Sequence, residues 1–450
     1  MLSIDSIEKT KTTGVKLGVL FSSLLTMTAC VPDNEFWVEK VDQRGSKKIW
    51  LEVSEGESAI LAWDITTIEE KIGAIDSMEI SPAPAEGVID PATGSLEFIP
   101  GISSRYTAEF VGADKSLTDK SGDVIVLREY CSGIDSVGMN YSQQLDLQLP
   151  DETLFPGPNP AVLLIHPGSW KTRDYSDMYR YMPAATDRGY VAVSINYRLS
   201  EEDKMVWPGH IQDAKCAVRW LRENAATYNI DPNAIAAIGH SAGGHLAALL
   251  GVTDASTDPT KQSLIDGFKN KGNHLGYEDN VQAVVTIAGP HHLESSYHEG
   301  AVDYLPSTSD TYTLLFGELP VEGVYNETYD QASPTYFVDS ESADTPYLII
   351  NSINDQLVSV KQGCRLRKAL ADAGSSNVTM LLYPSGRHES FIEARNIDSV
   401  VTGGNITKTI NNSFAFLDHH LRATDDPNYE NNPFYTDPEL DDLDCDNILQ

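Results

Sequence analysis

The run GHSAGGH, at Gly239–His245, is the most informative stretch of this sequence. It follows AIAAI, an apolar run typical of a buried strand, and it leads into LAALLGV, which has the composition of a buried helix. A strand, a G-x-S-x-G turn and a helix form a nucleophile elbow, in which the glycines permit a strained turn that raises the serine hydroxyl above the sheet. The pattern therefore predicts that Ser241 is a nucleophile.

The sequence on both sides of this elbow alternates between buried strands and helices. The apolar runs AVLLI, YVAVSI, AVVTI and YLIIN alternate with helical stretches such as DAKCAVRWLRENAATY and VKQGCRLRKALADAG. This alternation predicts a mainly parallel sheet covered by helices, with an antiparallel strand near SQQLDLQL at its start. The irregular segment from His291 to about Pro346 interrupts the alternation, so we expect it to form a wall or lid of a pocket.

A second motif, HPGSW, comes directly after the predicted strand AVLLI. It resembles the HGGG or HGGxW oxyanion loop of hormone-sensitive-lipase-like and feruloyl-esterase-like hydrolases, whose backbone N–H groups face the reacting carbonyl oxygen. Pro167 replaces the first glycine and has no N–H to donate. The resemblance assigns the donors to Gly168 and Ser169, and the Ala242 amide completes the predicted oxyanion hole.

The acid of a catalytic triad is expected after the strand in LIINSINDQLVSV. The same esterases carry HGxxDxxV at this place, and Asp355 and Val358 match its Asp and Val. Asn351 and Ser352 replace the usual His-Gly, which changes the motif but leaves the carboxylate in place. Asp355 is therefore the predicted acid.

The base is expected among eleven histidines. His388, in MLLYPSGRHESF, matches the YPGxxH pattern of these esterases. The order Ser241, Asp355, His388 is that of α/β-hydrolases and differs from the order in chymotrypsin or subtilisin. The resemblance covers residues 132–422 and implies an α/β-hydrolase domain that uses no cofactor.

The activity implied by this resemblance is the hydrolysis of carboxylic esters through an acyl-enzyme. Short acyl or aryl esters, such as acylated carbohydrates, are the expected substrates. Two alternatives stay open. One is a serine peptidase of the prolyl-oligopeptidase type, which shares the triad order, and the other is a catalytically silent binding protein that keeps the α/β-hydrolase shell.

Three further histidines, His291, His292 and His298, lie with two glutamates in PHHLESSYHE. This composition could ligate a metal, but loop histidines beside a pocket are commoner. We therefore expect no metal site here.

The region before the predicted hydrolase domain has the character of a small β-sandwich. The β-type runs KIWLEV, SAILAWDI, DSMEISP, GSLEFIP, SRYTAEFVG and DVIVLRE are separated by turn residues. The order of these runs is similar to that of bacterial immunoglobulin-like modules, with Trp63 where their core tryptophan lies. We expect an immunoglobulin-like module over residues 46–129.

The charge of the chain restricts its partners. The sequence has 32 basic and 66 acidic side chains, which gives a formal net charge of -34. Such a charge repels phosphate backbones, so we expect no nucleic-acid partner. The acidic, proline-containing residues 423–450 are expected to form a solvated tail.

The N-terminus has the features of an export signal. Lysines at positions 9, 11 and 16 precede an apolar run, Leu17–Thr28, that is short for a membrane span. The run ends in LLTMTAC, which resembles a bacterial lipobox. This resemblance implies a signal peptide over residues 1–29, a lipidated Cys30 and a membrane-anchored protein of the bacterial cell envelope.

Four other cysteines, at positions 131, 216, 364 and 445, allow three disulfide pairings that the sequence cannot rank. Cys216 lies inside a helix pattern and is interpreted as a small core residue.

Overall fold

The computed structural model forms two compact units, Met1–Arg128 and Glu129–Gln450. It describes residues 36–41, 47–52, 59–62, 65–72, 74–81, 86–90, 95–99, 105–113, 118–131, 143–200, 207–299, 307–321, 324–384, 386–392, 403–422 and 445–449. The predicted signal peptide, Cys30 and Trp63 lie outside these residues.

The N-terminal unit contains two β-sheets. Its strands are β1 (Phe36–Val41), β2 (Lys47–Glu52), β3 (Ala59–Ala62), β4 (Ile75–Ser81), β5 (Glu86–Asp90), β6 (Ser95–Ile99), β7 (Arg105–Gly112) and β8 (Thr118–Glu129). One sheet has the order β1-β2-β8-β7-β4, in which β2 and β8 are parallel, and the other has the order β3-β6-β5. All six runs expected to be strands are strands, and the immunoglobulin-like classification stays a prediction.

This unit also contains two kinds of element that the sequence pattern did not predict. Strand β1 precedes residue 46, where we expected the module to begin, and β5 was not predicted. Helix α1 (Ile65–Ile72) follows β3. Ile68 and Ile72 are one helical turn apart and buried, whereas Glu69 and Glu70 are exposed, which is the pattern of an amphipathic helix.

The second unit is built on a sheet of seven strands. They are β9 (Gln144–Gln148), β10 (Asn159–Ile165), β11 (Val191–Ile195), β12 (Ile230–His240), β13 (Ala283–Ile287), β14 (Tyr347–Ser352) and β15 (Val378–Tyr383). Their order is β9-β11-β10-β12-β13-β14-β15, and β9 is antiparallel to β11 while the other pairs are parallel. This arrangement confirms the predicted α/β-hydrolase sheet, including its antiparallel first strand.

Helices lie between these strands and after the last one. They are α2 (Tyr181–Thr186), α3 (Gly209–Glu223), α4 (Ala242–Val252), α5 (Pro259–Lys269), α6 (Leu293–Glu299), α7 (Ser307–Phe316), α8 (Glu327–Asp330), α9 (Pro334–Phe337), α10 (Val360–Asp372), α11 (Gly403–Leu421) and α12 (Cys445–Leu449). The segment after Pro290, expected to be irregular, thus contains the four short helices α6 to α9. Among the helices described, none is long and apolar enough to cross a membrane.

The sheet has a hydrophobic core on each face. In β10, Leu163 and Ile165 belong to one core with residues of α3, α4 and α10, whereas Val162 and Leu164 belong to the other with residues of α2 and α11. Every residue of β10 is buried, which explains why this strand is a continuous apolar run.

The strand order places a crevice at the centre of the carboxyl edge. From β10 the chain first passes to β11 on one side and then, through α3, to β12 on the other side. Ligands of open α/β sheets bind where the strand order reverses in this way. The loops that follow β10 and β12 therefore start side by side at the position expected for a binding site.

Two disulfides join the four cysteines of this unit. They pair Cys131 with Cys216 and Cys364 with Cys445, with Cα–Cα separations of 6.1 and 5.3 Å. Cys216 is a buried core residue of α3, as predicted, and it is also bonded to Cys131. The prediction of a solvated tail was wrong for its last part, because Cys445 and two apolar neighbours in α12 pack against the core.

A group of buried charges fixes α3 to the loop before β13. Asp279 accepts hydrogen bonds from Lys215 Nζ at 2.8 Å and from an Arg219 guanidinium nitrogen at 3.0 Å. All three side chains are at most 2% exposed. Lys215 also donates to the Thr253 carbonyl at 2.9 Å, so each charge has partners in the interior.

We expect Asp279→Asn to lower the free energy of unfolding by about 3–5 kcal/mol, because it leaves two buried cations without their counter-charge. The matched control is Asp254→Asn, which removes a carboxylate that is 48% exposed and pairs with Lys269, and which should cost about 0–1 kcal/mol. Urea unfolding measured by tryptophan fluorescence tests both. Equal effects of the two substitutions would contradict a buried ion group that stabilises α3.

Candidate active site

The backbone of Ser241 has the strained geometry of a nucleophile elbow. It lies between β12 and α4 with φ 56° and ψ -120°, a left-handed φ that is rare for residues other than glycine. Its N–H donates to the Ile287 carbonyl at 2.8 Å. A Cβ on Gly239 would collide with the backbone of Gly243, and a Cβ on Gly243 would collide with that of Ile165. Both glycines of G-x-S-x-G are therefore required for close backbone approach.

The predicted oxyanion loop starts beside this elbow. Ile165, at the end of β10, is paired with Gly239 at the end of β12. The loop then turns sharply, because Gly168, Ser169 and Trp170 all have positive φ, at 125°, 54° and 57°. A Cβ on Gly168 would collide with the Thr172 carbonyl oxygen.

Two of the predicted oxyanion donors, Ala242 and Ser169, have backbone N–H groups that can donate to a substrate oxygen. Ala242 is the first residue of α4, and the first four N–H groups of a helix have no acceptor within it. Within the described residues, neither the Ala242 nor the Ser169 N–H is hydrogen-bonded to another protein group. Their role as oxyanion donors, with Gly168, stays a prediction that this geometry permits.

The predicted acid and base are brought into direct contact. His388 Nδ1 lies 2.8 Å from Asp355 Oδ2, and the side chain of Asp355 is fully buried. The other oxygen, Oδ1, accepts the backbone N–H groups of Leu357 at 2.9 Å and Val358 at 3.0 Å. The carboxylate is thereby fixed in the orientation that holds the proton of His388 on Nδ1 and leaves Nε2 as the acceptor.

The Nε2 atom of His388 is buried and, among the described residues, has no hydrogen-bond partner. The hydrogen bond from Ser241 Oγ to His388 Nε2 is thus not formed in this structure. Catalytic hydrogen bonds of this kind often tighten only when substrate binds. Nε2 therefore remains able to accept a proton.

His240, the residue before the predicted nucleophile, contacts the predicted base directly. Its Nε2 lies 3.0 Å from the His388 carbonyl oxygen, and the two imidazole centroids are 4.8 Å apart. Burial lowers the pKa of His240 well below its usual value, so its ring is neutral and donates from Nε2. His240 therefore holds the backbone of the base beside the elbow.

The pKa of His388 is raised above its usual value. Burial by itself lowers this pKa, but the charge and hydrogen bond of Asp355 and the nearby charge of Glu389 outweigh burial. Arg173 acts in the opposite direction. The base is consequently stronger than an ordinary buried histidine.

Side-chain hydrogen bonds also connect the acid loop with the base loop. Ser352 Oγ donates to the Gly386 carbonyl at 2.8 Å, and Asn354 Nδ2 donates to that of Pro384 at 3.0 Å. Ser352 stands where the related motif has glycine. The departure from that motif thus provides an additional link between Asp355 and His388.

The segment after Pro290 forms one wall of the site. Its buried side chains pack with Trp170 of the oxyanion loop and Ala242 of the elbow in one hydrophobic cluster. The cluster members from this segment are Leu293, Tyr312, Leu315, Tyr329 and Ala332.

Gln362 of α10 anchors this wall, and no local sequence pattern indicated this role. The side chain is fully buried, and Oε1 accepts the N–H groups of His291 at 3.0 Å and His292 at 2.9 Å. Its Nε2 donates to Ser295 Oγ at 3.0 Å. Two of the three histidines considered as metal ligands, His291 and His292, thus fix α6 to α10 through their backbones.

A second interaction that sequence reasoning missed joins the oxyanion loop to the base loop. Arg173 pairs with Asp177 at 3.1 Å and with Glu389, the neighbour of the base, at 3.3 Å. Residues 173 and 389 are far apart in the sequence, and only the fold brings them together.

Comparison with known proteins identifies the family of this fold. A family model designated BD-FAE matches residues 145–370, which is half of the chain. The chain belongs to the BD-FAE family. The match begins in β9 and ends in α10, so it includes the predicted oxyanion loop, Ser241 and Asp355 but not His388.

Relatives of this BD-FAE member are esterases by name. "Esterase LipQ" of Mycobacterium tuberculosis is 31% identical over 239 residues, which cover 52% of this chain and 51% of that protein. "Esterase LipC" of the same organism is 30% identical over 235 residues, which cover 51% and 53%. The chain thus spans about half the length of the curated relatives it matches.

A solved structure described as a truncated form of a carbohydrate esterase from gut microbiota is also similar to this chain. Its TM-score is 0.50 and its identity 29%, and the alignment covers 64% of this chain and 95% of that one. The BD-FAE member therefore shares its fold with esterases.

We expect Glu389→Gln to lower the pKa of His388, because the negative charge of Glu389 favours the imidazolium form. Neutral imidazole would then persist to lower pH. NMR titration of histidine labelled at Cε1, with the signal assigned by its absence in H388Q, measures the midpoint. Glu152→Gln is the control, since Glu152 is an exposed residue before β10, at the opposite edge of the sheet. A midpoint unchanged in E389Q would show that Glu389 does not act on the base.

Proposed function

We propose that this member of the BD-FAE family is a serine carboxylesterase that acts through an acyl-enzyme. One observation carries the proposal: His388 is paired with Asp355 and held by His240 next to the strained elbow of Ser241, and its buried Nε2 has no hydrogen-bond partner among the described residues. A neutral imidazole with its proton fixed on Nδ1 is the form that removes a proton from a serine hydroxyl.

The reaction follows from these positions. His388 Nε2 takes the Ser241 hydroxyl proton as Oγ attacks the ester carbonyl, and Asp355 stabilises the imidazolium that forms. The negative charge that develops on the carbonyl oxygen is accepted by the backbone N–H groups of Gly168, Ser169 and Ala242. The imidazolium then protonates the leaving alkoxide, and a water molecule activated by the same base hydrolyses the acyl-enzyme.

We propose short acyl or aryl esters, including acylated carbohydrates, as substrates. The wall beside the oxyanion loop supports this choice, since Trp170 and Tyr312 lie with ring centroids 6.3 Å apart in a cluster next to Ala242. Sites built from apolar and aromatic side chains favour apolar or ring-shaped ligand groups. The similar solved structure is described as a carbohydrate esterase, which agrees with such substrates.

We also propose that the protein is exported and anchored by a lipid on Cys30. The lysines and the apolar run before Cys30 support export. The disulfides Cys131–Cys216 and Cys364–Cys445 support an oxidising compartment, where such bonds persist.

The activity is tested with p-nitrophenyl esters of increasing acyl length and with peptide anilides, using the wild type and Ser241→Ala. We expect turnover of short-chain esters, reduced about a million-fold in the variant because the nucleophile is lost. Comparable thermal unfolding of the two proteins serves as the folding control.

Turnover confined to the anilides would contradict the esterase proposal and favour the peptidase alternative. Negligible rates on all substrates, together with no labelling of Ser241 by a fluorophosphonate, would favour a silent binding protein.

The anchor is tested in a bacterial host fed a clickable palmitate analogue. We expect the wild type and Ser241→Ala to be labelled and to stay with the membrane fraction. Cys30→Ala should be unlabelled, because it lacks the thiol that carries the lipid. Labelling that persists in C30A would contradict the anchor.

A further inference from the structure

His245 joins three segments of the site through its imidazole ring. It lies on α4, one helical turn after the nucleophile, and its backbone N–H donates to the Ser241 carbonyl at 3.0 Å. Trp170 Nε1 is 3.2 Å from His245 Nδ1, and the Ala332 carbonyl oxygen is 2.7 Å from His245 Nε2. The ring thus contacts the oxyanion loop on one side and the wall after Pro290 on the other.

The chemistry of the two partners fixes the tautomer of this ring. An indole N–H can only donate and a carbonyl oxygen can only accept. Nδ1 of His245 must therefore be the acceptor, and Nε2 must carry the proton. Burial lowers the pKa of His245 to about 4, so the neutral form persists over the ordinary working range of pH.

The oxyanion loop needs such support because its backbone is strained. Ser169 and Trp170 both have left-handed φ, a strained conformation that persists only where the surroundings fix it. The Trp170 carbonyl accepts the Ser200 N–H at 2.8 Å, and its indole is 3% exposed. The indole N–H bond to His245 ties this strained loop to the helix of the nucleophile.

We propose that His245 is a positioning residue, which holds the N–H groups of the oxyanion loop in register with Ser241 by accepting the Trp170 indole N–H. This inference rests on the proposed esterase function. The ring does not touch the reacting atoms; it acts through Trp170. The geometry separates its two roles, since acceptance at Nδ1 supports the oxyanion loop and donation from Nε2 supports the wall.

Two substitutions of His245 separate these roles. His245→Asn can place its amide oxygen where Nδ1 lies, which keeps the acceptor for Trp170 and removes the bond to Ala332. His245→Gln can place its amide nitrogen where Nε2 lies, which keeps the donor to Ala332 and removes the acceptor. Trp170→Phe removes the indole N–H from the other side while an aromatic ring remains.

We expect H245Q and W170F to lower kcat for a short-chain p-nitrophenyl ester by about 10- to 100-fold, because a misplaced oxyanion loop loses interactions made in the transition state. KM should change by less than about threefold, since ground-state binding is not affected. H245N should keep kcat within about threefold of the wild type. The double variant H245Q/W170F should be no slower than the slower single variant, because both remove the same bond.

Equal losses of kcat in H245N and H245Q would overturn the inference, as would an unchanged kcat in W170F or a loss confined to KM. W170F leaves His245 in place and decides the matter alone if a His245 variant does not fold. A wild type without ester turnover contradicts the proposed function as well, whereas an active wild type with unaltered variants contradicts this inference only.

Discussion

A serine with φ 56° and ψ -120° carries about 1–3 kcal/mol of backbone strain, which its surroundings must offset. In this chain the offset comes from the sheet. Strand β12 lies between β10 and β13. The Ser241 N–H, directly after β12, donates to the carbonyl oxygen of Ile287 at the end of β13. The glycines on either side let the turn close against neighbouring backbone. The elbow therefore depends on the central position of β12, and the rest of the site is arranged around it.

The parallel arrangement brings the other functional loops to the same edge, but it does not align them. Side-chain interactions between distant segments provide the alignment. Ser352 connects the acid loop to the base loop, Arg173 connects the oxyanion loop to Glu389, and His240 connects the elbow to His388. Gln362 fixes the wall after Pro290 to α10. Each of these side chains links polar groups of two segments that are distant in the sequence.

Sequence reasoning succeeded where the determining information is local. Continuous apolar runs identify buried strands, and the spacing around Ser241, Asp355 and His388 identifies loops after strands. It did not succeed where partners are distant: the Cys131–Cys216 bond, the Gln362 anchor and the Arg173–Glu389 pair each join residues more than 60 positions apart. Helix α1 was missed for a different reason, since its eight residues lie between strands and the buried positions described in it are Ile68 and Ile72 alone.

The buried histidines show how burial and a carboxylate partner give identical side chains different roles. Burial is the main cause that lowers the pKa of His245 to about 4 and that of His291 to about 3, so these rings are fixed as neutral hydrogen-bonding groups. His388 is equally buried, yet its pKa moves upward, because the Asp355 carboxylate stabilises the imidazolium. A ring that never charges can position a loop, but it cannot carry a proton from a serine to a leaving group. The carboxylate partner is thus what distinguishes a base from a structural histidine in this interior.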